Sequence, residues 1–312
     1  MKKYTCINDI NNISDIIKEA IDLKKNPFQY ENIGKHKTLV MLFFNSSLRT
    51  RLSTEKAAKN LGMQVMVLNV NEAWSLEFDD GTIMEFNTTE HIKEAAMVIS
   101  QYADIIAVRV FPNLINKQKD KSEIILNSFI KYASVPILNM ESATAHPLQG
   151  LADAITVEEL KVNKRPKVVL SWAPHPKALP HSVANSFIKT MKNLAVDLTI
   201  THPKGYELDS DITKGVHINY NQAATIENAD FVYVKNWSNY TDYGNILSED
   251  SKWMMTQEML RNAKFMHCLP VRRNVVVEDA VLDSDNSLVI HQANNRTYAA
   301  QIVLKKIIEN LD

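Results

Sequence analysis

The chain has 312 residues, with 35 Lys and Arg against 36 Asp and Glu. That length suggests two domains of about 150 residues each, and the near-zero net charge excludes a bulk polyanion binder or an acidic tail, so any anion site must be local. Cys6 and Cys268 are the only cysteines, too few for a disulfide framework or a structural zinc cluster and in keeping with a reducing cytoplasm. The start, MKKYTC, lacks the apolar run of a signal peptide, and no stretch approaches 18 consecutive apolar residues, so a cytoplasmic protein without a membrane span is expected.

Apolar residues at helical spacing (Ile10, Ile13, Ile16, Ile17, Ala20, Ile21) predict a helix over 9–25. The continuous apolar run 38–44 predicts a strand buried on both faces. A polar turn follows at 45–50, then a helix over 52–61. The alternation continues with a strand at 65–68, helix 91–102, strand 104–110, helix 122–132 and strand 135–139. Beyond a helix at 150–160, a second series starts with strand 167–171 and runs through helix 181–193, strands 196–201 and 231–235, helix 256–263 and strand 264–268. Alternating strands and helices predict two doubly wound parallel-sheet α/β domains, with a boundary near 140–150. Ligands of such sheets bind beyond the carboxyl ends of strands. The polar clusters at 45–51, 109–112, 139–149, 171–182, 235–240 and 267–274 all fall there.

Ser47, Leu48, Arg49, Thr50 and Arg51 lie between a strand and a helix start. Helix-terminal N–H groups, hydroxyls and guanidinium forks make a phosphate site, although an ordinary helix cap with solvated arginines has the same pattern. No Walker lysine or glycine-rich dinucleotide loop occurs, which argues against a nucleotide. His-Pro-Leu-Gln at 146–149, His-Cys-Leu-Pro at 267–270 and Gln-Ala-Asn-Asn-Arg at 292–296 follow in order. With the arginine loop, they resemble the aspartate/ornithine carbamoyltransferase family over most of the chain. Leu48 stands where the family usually has threonine.

The resemblance implies a carbamoyl-phosphate-binding domain at 1–145, an acyl-amino-acid-binding domain at 146–294, and a C-terminal helix about 295–312 packed back on the first. Ser47, Leu48, Arg49 and Thr50 would hold the phosphate, Arg109 and His146 (with Thr50) would polarise the carbamoyl oxygen, and Gln149 and the Leu269 carbonyl would orient the carbamoyl NH2. Cys268 would line this site, Arg296 would add charge from the second domain, and Trp74 would reach into a neighbouring subunit of a homotrimer. No metal or organic cofactor is expected, and neither is a nucleic-acid or membrane partner.

The Ser-Met-Gly segment that grips free ornithine in the family is absent, and a proline-rich loop at 172–180 stands in its place. That loop and HCLPVRRN at 267–274 resemble the N-acetylornithine and N-succinylornithine branch, whose second domain is knotted. In that branch Glu141, His175 and Lys235 contact the acylated amino acid, and Arg272 joins the acyl-ornithine residues. A glutamate at Glu90 would repel a succinyl carboxylate and favour the acetyl substrate. The implied reaction converts an N-acyl-L-ornithine and carbamoyl phosphate to N-acyl-L-citrulline and phosphate, in arginine biosynthesis. Transfer to free ornithine or to putrescine, and a non-catalytic phosphometabolite sensor, are the alternatives.

His91, His181, His202 and His291 lack metal-ligand spacing and read as core or surface residues. Cys268 beside His267 reads as a packed or substrate-lining thiol, because adjacent strand residues face opposite ways. Asp79 and Asp80 read as a turn, and Arg272 and Arg273 stand open between solvated and substrate-binding roles.

Overall fold

A computed structural model describes residues 1–70, 74–85, 87–247 and 251–311. The chain forms two compact units. Unit 1 is Met1–Asn113, Gln118–Leu148 and Arg296–Asp312, and unit 2 is Leu114–Lys117 and Gln149–Asn295.

Unit 1 is built on a parallel sheet in the order β2-β1-β5-β6, with β1 Thr38–Phe43, β2 Gln64–Asn69, β5 Ile105–Arg109 and β6 Ile137–Glu141. The three apolar runs β1, β5 and β6 are buried along almost their whole length, as strands covered on both faces must be. β2 lies at the edge and alternates half-buried and exposed residues over its first four positions. Val40, Leu42, Ile106, Val108, Ile92 and Phe129 pack into one core cluster, and each such side chain contributes roughly 1.5–3 kcal/mol by leaving water. A two-residue pair, β3 Leu76–Glu77 and β4 Glu90–His91, is an addition to the expected elements.

Unit 2 carries a parallel sheet in the order β11-β10-β7-β8-β9, with β7 Lys167–Trp172, β8 Asp197–Thr201, β9 His217–Asn219, β10 Phe231–Lys235 and β11 Lys264–Met266. Its core gathers Val169, Val232, Val234, Phe265, Met255 and Val277. Both sheets are doubly wound α/β, as expected from the alternation of strands and helices.

Several boundaries differ from those expected, each for a local reason. The first helix spans Ile13–Lys25, because the Asn12 side chain accepts from the Ser14 and Asp15 N–H groups and so ends the extended backbone there. The helix after β1 starts at Leu48, not 52, because Ser47 caps it. The expected helix 122–132 is two helices, Lys117–Ser122 and Ile124–Tyr132. Between them Glu123 takes a left-handed φ of 46°, held by its carboxylate accepting from the Ser142 hydroxyl at 2.6 Å and the Thr144 N–H at 2.7 Å. The expected helix 256–263 is only Gln257–Leu260 and stops at Arg261, whose φ is 52°. The C-terminal helix is longer than expected, at Val289–Ile308, and residue 312 lies outside the described residues.

Gly150 sits in the helix Pro147–Leu160 where a Cβ would lie 2.6 Å from Thr190 Oγ1 and 3.0 Å from the Ser186 carbonyl oxygen. Alanine gains about 1 kcal/mol of helix propensity over glycine. Overpacking costs about 1–3 kcal/mol, and the Ser186 backbone cannot rotate aside, so the clash wins. Gly150→Ala is expected to lower the urea midpoint; a raised midpoint contradicts this packing.

Candidate active site

In unit 1 the chain leaves β1 toward β2 on one side and returns to β5 on the other. The gap between β1 and β5 is therefore a topological switch point, where parallel sheets bind ligands. Phe43, last in β1, pairs in register with Arg109, last in β5. The Ser47 hydroxyl caps the helix Leu48–Asn60 by accepting from the Thr50 N–H at 3.3 Å, so free helix-terminal N–H groups and the positive end of the helix dipole face the same gap.

The Thr50 hydroxyl oxygen accepts from two guanidinium groups, Arg109 NH1 at 3.2 Å and Arg296 NH2 at 2.6 Å. Arg109 also donates to the Glu141 carboxylate, which lies 3.4 Å from His146 Nε2. The Arg109 guanidinium stacks on Phe111, 4.5 Å from the ring centroid. Thr50, Arg109, Glu141, His146 and Arg296 are all at most 5% exposed. Two buried guanidinium groups thus converge on one hydroxyl, an arrangement of charged donors that suits a phosphate dianion.

One expectation changes here. Arg296 belongs to unit 1 and not to the second domain, because its helix is tied to that unit through Thr50 and through Gln301, which accepts from the Asn60 amide at 3.0 Å. Glu141, expected among the acyl-amino-acid contacts, is also the ion-pair partner of Arg109. Leu48 is 67% exposed and can offer a ligand its backbone N–H, and Arg51 is exposed. The indole N–H of Trp74 donates to the Glu90 carboxylate at 2.7 Å, in the same unit.

Unit 2 has its own switch point between β7 and β10. Trp172, last in β7, pairs with Lys235, last in β10. The start of the proline-rich loop is anchored by the Trp172 indole, which donates to the Trp237 carbonyl at 2.9 Å and lies 4.4 Å from the Tyr206 ring. Lys235 is only 8% exposed, and no carboxylate pairs with it among the described residues. Arg272 Nε donates to His175 Nε2 at 3.2 Å, which requires that nitrogen to be unprotonated, while His175 Nδ1 lies 2.9 Å from the Lys177 carbonyl oxygen and 3.1 Å from the Lys177 backbone nitrogen. Arg273 is instead held by Asp279 and Asp283. Gln149, in the helix Pro147–Leu160, is buried and donates to Asp153 at 2.7 Å.

The His-Cys-Leu-Pro segment begins after β11 ends at Met266. The opposite-faces argument for His267 and Cys268 therefore does not apply, since neither is in a strand. His267 Nδ1 accepts from the Leu269 N–H at 2.9 Å, so this nitrogen is engaged by the backbone and not by the thiol. Leu269 takes a left-handed φ of 56°, unusual for a branched side chain and a sign of a locally constrained loop.

Among the described residues no group of three His, Cys, Asp or Glu side chains could hold a metal ion. No helix is long and apolar enough to cross a membrane. His181 and His202 of unit 2 bond to the Ser238 and Pro203 carbonyls at 2.7 and 2.8 Å. Burial pushes His175, His181 and His202 below the ordinary imidazole value. A lowered folded pKa means that the unfolded chain takes up protons first. The stability these rings contribute is therefore fully present above pH about 6.5 and is lost as pH falls through the lowered folded values. Urea unfolding is expected to show a falling midpoint on acidification from pH 7; a rising midpoint contradicts neutral burial of these rings.

Two parallel α/β units, one with a buried cationic cradle and the other with a buried lysine, are built to handle anionic ligands. Residues 2–159 match the aspartate/ornithine carbamoyltransferase carbamoyl-phosphate-binding domain, and residues 180–307 match the Asp/Orn-binding domain. The chain is 50% identical to the N-succinylornithine carbamoyltransferase of Bacteroides thetaiotaomicron, covering 100% of both chains. It is 36% identical to the N-acetylornithine carbamoyltransferase of Xylella fastidiosa, over 91% of this chain and 93% of the other. A crystal structure of acetylornithine transcarbamylase complexed with acetylcitrulline matches with a TM-score of 0.92 at 33% identity, covering 98% and 99% of the chains. The chain belongs to the aspartate/ornithine carbamoyltransferase family, and it is a carbamoyltransferase.

Proposed function

We propose that the protein transfers the carbamoyl group of carbamoyl phosphate to the side-chain amine of N-succinyl-L-ornithine, releasing N-succinyl-L-citrulline and phosphate, in arginine biosynthesis. The observation that carries the carbamoyl-phosphate half is the convergence of Arg109 and Arg296 on the Thr50 oxygen at a helix N-terminus. In this reading Ser47, Arg49, Thr50 and Arg296 hold the phosphate, with the Leu48 N–H. Arg109 and His146 polarise the carbamoyl oxygen, while Gln149 and the Leu269 carbonyl take the NH2. The amine lone pair attacks the carbamoyl carbon, and negative charge builds on its oxygen. The tetrahedral species then collapses, the C–O bond to phosphate breaks, and the departing phosphate accepts the amine's proton. Fixed donors aimed at the oxygen lower this barrier by roughly 3 kcal/mol each.

Lys235 pairs with the carboxylate of the acylated ornithine, and His175 and Arg272 lie beside it on the acyl side. An acylated α-nitrogen has no charge, which matches the lack of the free-ornithine signature. The acyl group is assigned to succinyl from the higher identity to the N-succinylornithine enzyme, 50% against 36%. Glu90 argues the other way, toward acetyl. Its carboxylate is half-buried and already takes the Trp74 indole N–H, and a water-accessible charge is worth at most about 1 kcal/mol. Glu90→Gln is therefore expected to change the succinyl-to-acetyl ratio of kcat/KM by less than about fivefold; a swing of a hundredfold makes Glu90 the selector.

The working form is a cytoplasmic homotrimer in this reading. Support comes from exposed apolar side chains on unit 1, among them Leu52, Met66, Trp74, Met97 and Val98, which suit an interface. The proposal predicts one phosphate released per labelled succinylcitrulline formed. Tight carbamoyl-phosphate binding with no transfer to any acceptor amine favours the sensor instead.

A further inference from the structure

Asp153 is fully buried in the helix Pro147–Leu160, one turn after Gln149. Residues four apart share a helix face. One oxygen of Asp153, Oδ1, accepts from two amides: Gln149 Nε2 at 2.7 Å and Gln292 Nε2 at 2.6 Å. Gln292 in turn accepts the His267 N–H on its Oε1 at 3.0 Å, and His267 Nδ1 accepts the Leu269 N–H at 2.9 Å. A single carboxylate thus joins the Gln149 side chain to the 267–269 segment, all within unit 2.

An amide has donors on its nitrogen and an acceptor on its oxygen, so whichever end is tied down fixes what the other end offers. Asp153 can only accept when ionised and therefore takes the NH2 end of Gln149. The Gln149 Oε1 is left buried, and no hydrogen-bond partner meets it among the described residues. A buried acceptor without a donor calls for one from a ligand. The carbamoyl NH2 is such a donor.

We infer that Asp153 is a positioning residue for the transfer: it sets the Gln149 amide with its oxygen toward the carbamoyl NH2 and, through Gln292, steadies the loop that presents the Leu269 carbonyl. This rests on the reading of Gln149 as a carbamoyl contact. Asp153→Asn keeps an oxygen where both glutamines donate, whereas Asp153→Leu keeps the branched outline, with some added bulk, and removes the acceptor. A purely structural aspartate would act alike whether or not Gln149 is present, so a double-mutant cycle separates the two roles.

The test measures kcat/KM for carbamoyl phosphate in the full-length enzyme, with folding checked by urea midpoint. Gln149→Ala alone is expected to lower it by about 30-fold. Asp153→Leu is expected to lower it by a similar factor in the parent, but by less than about threefold in the Gln149→Ala background. Asp153→Asn is expected to stay within about threefold of the parent. Equal losses from Asp153→Leu in both backgrounds overturn the inference, and so does a loss in Asp153→Asn as large as in Asp153→Leu. If Gln149→Ala itself has no effect, the reading of Gln149 fails and takes the inference with it, an outcome distinct from additive losses. Asp153→Ser, smaller and polar, replaces the leucine variant in the same cycle if that protein does not fold.

Discussion

Arg109→Leu is expected to lower kcat by roughly 10²–10³-fold, the cost of removing one fixed donor to a developing oxyanion. The same change should also destabilise the protein. Arg109 is the ion-pair partner of Glu141, and both are at most 5% exposed. Removing one member of a buried pair leaves the other charge uncompensated, which costs about 3–5 kcal/mol. Replacement by lysine should recover part of the stability but little of the rate, because NH1 alone donates to both Thr50 and Glu141 and an ammonium has no second nitrogen to offer the carbamoyl oxygen. Steady-state kinetics and urea unfolding of the two variants check this. A kcat within about threefold of the parent removes Arg109 from the chemistry.

Lys235→Met is expected to separate function from stability. Losing a charge-assisted bond to a substrate carboxylate costs about 1.5–3 kcal/mol, or roughly 10–100-fold in KM for the acyl-ornithine. The Kd for carbamoyl phosphate should hold. Stability should not fall, because Lys235 is a nearly buried cation with no carboxylate beside it among the described residues, and methionine of similar length removes a desolvation cost. A residue kept at a cost in stability is the mark of a binding role. An unchanged KM together with a lowered urea midpoint assigns Lys235 to structure instead.

The parallel sheets were legible because β1, β5, β7 and β10 are continuous apolar runs, which only a doubly covered strand requires. The short edge strand His217–Asn219 was not, since one exposed and two half-buried residues carry no period. Nor was the break at Glu123, where tertiary hydrogen bonds to Ser142 and Thr144 override helix propensity. The candidate site was legible where motifs follow strand ends, as at Ser47–Thr50, Arg109 and His146. What each side chain touches is not a local property. Nothing near Arg296 in sequence tells that it reaches Thr50, 246 positions away. Asp153 left only a faint trace, a Gln-x-x-x-Asp spacing after His-Pro-Leu, which any amphipathic helix can show.

The substrate assignment is tested most directly by kcat/KM for carbamoyl transfer to N-succinyl-L-ornithine, N-acetyl-L-ornithine, L-ornithine and putrescine under one set of conditions. N-succinyl-L-ornithine is expected first, N-acetyl-L-ornithine second, and free ornithine and putrescine at least about 10³-fold lower, since a site built for a neutral amide must desolvate their charged nitrogens. Preference for free ornithine or putrescine, or turnover of none of the four, contradicts it.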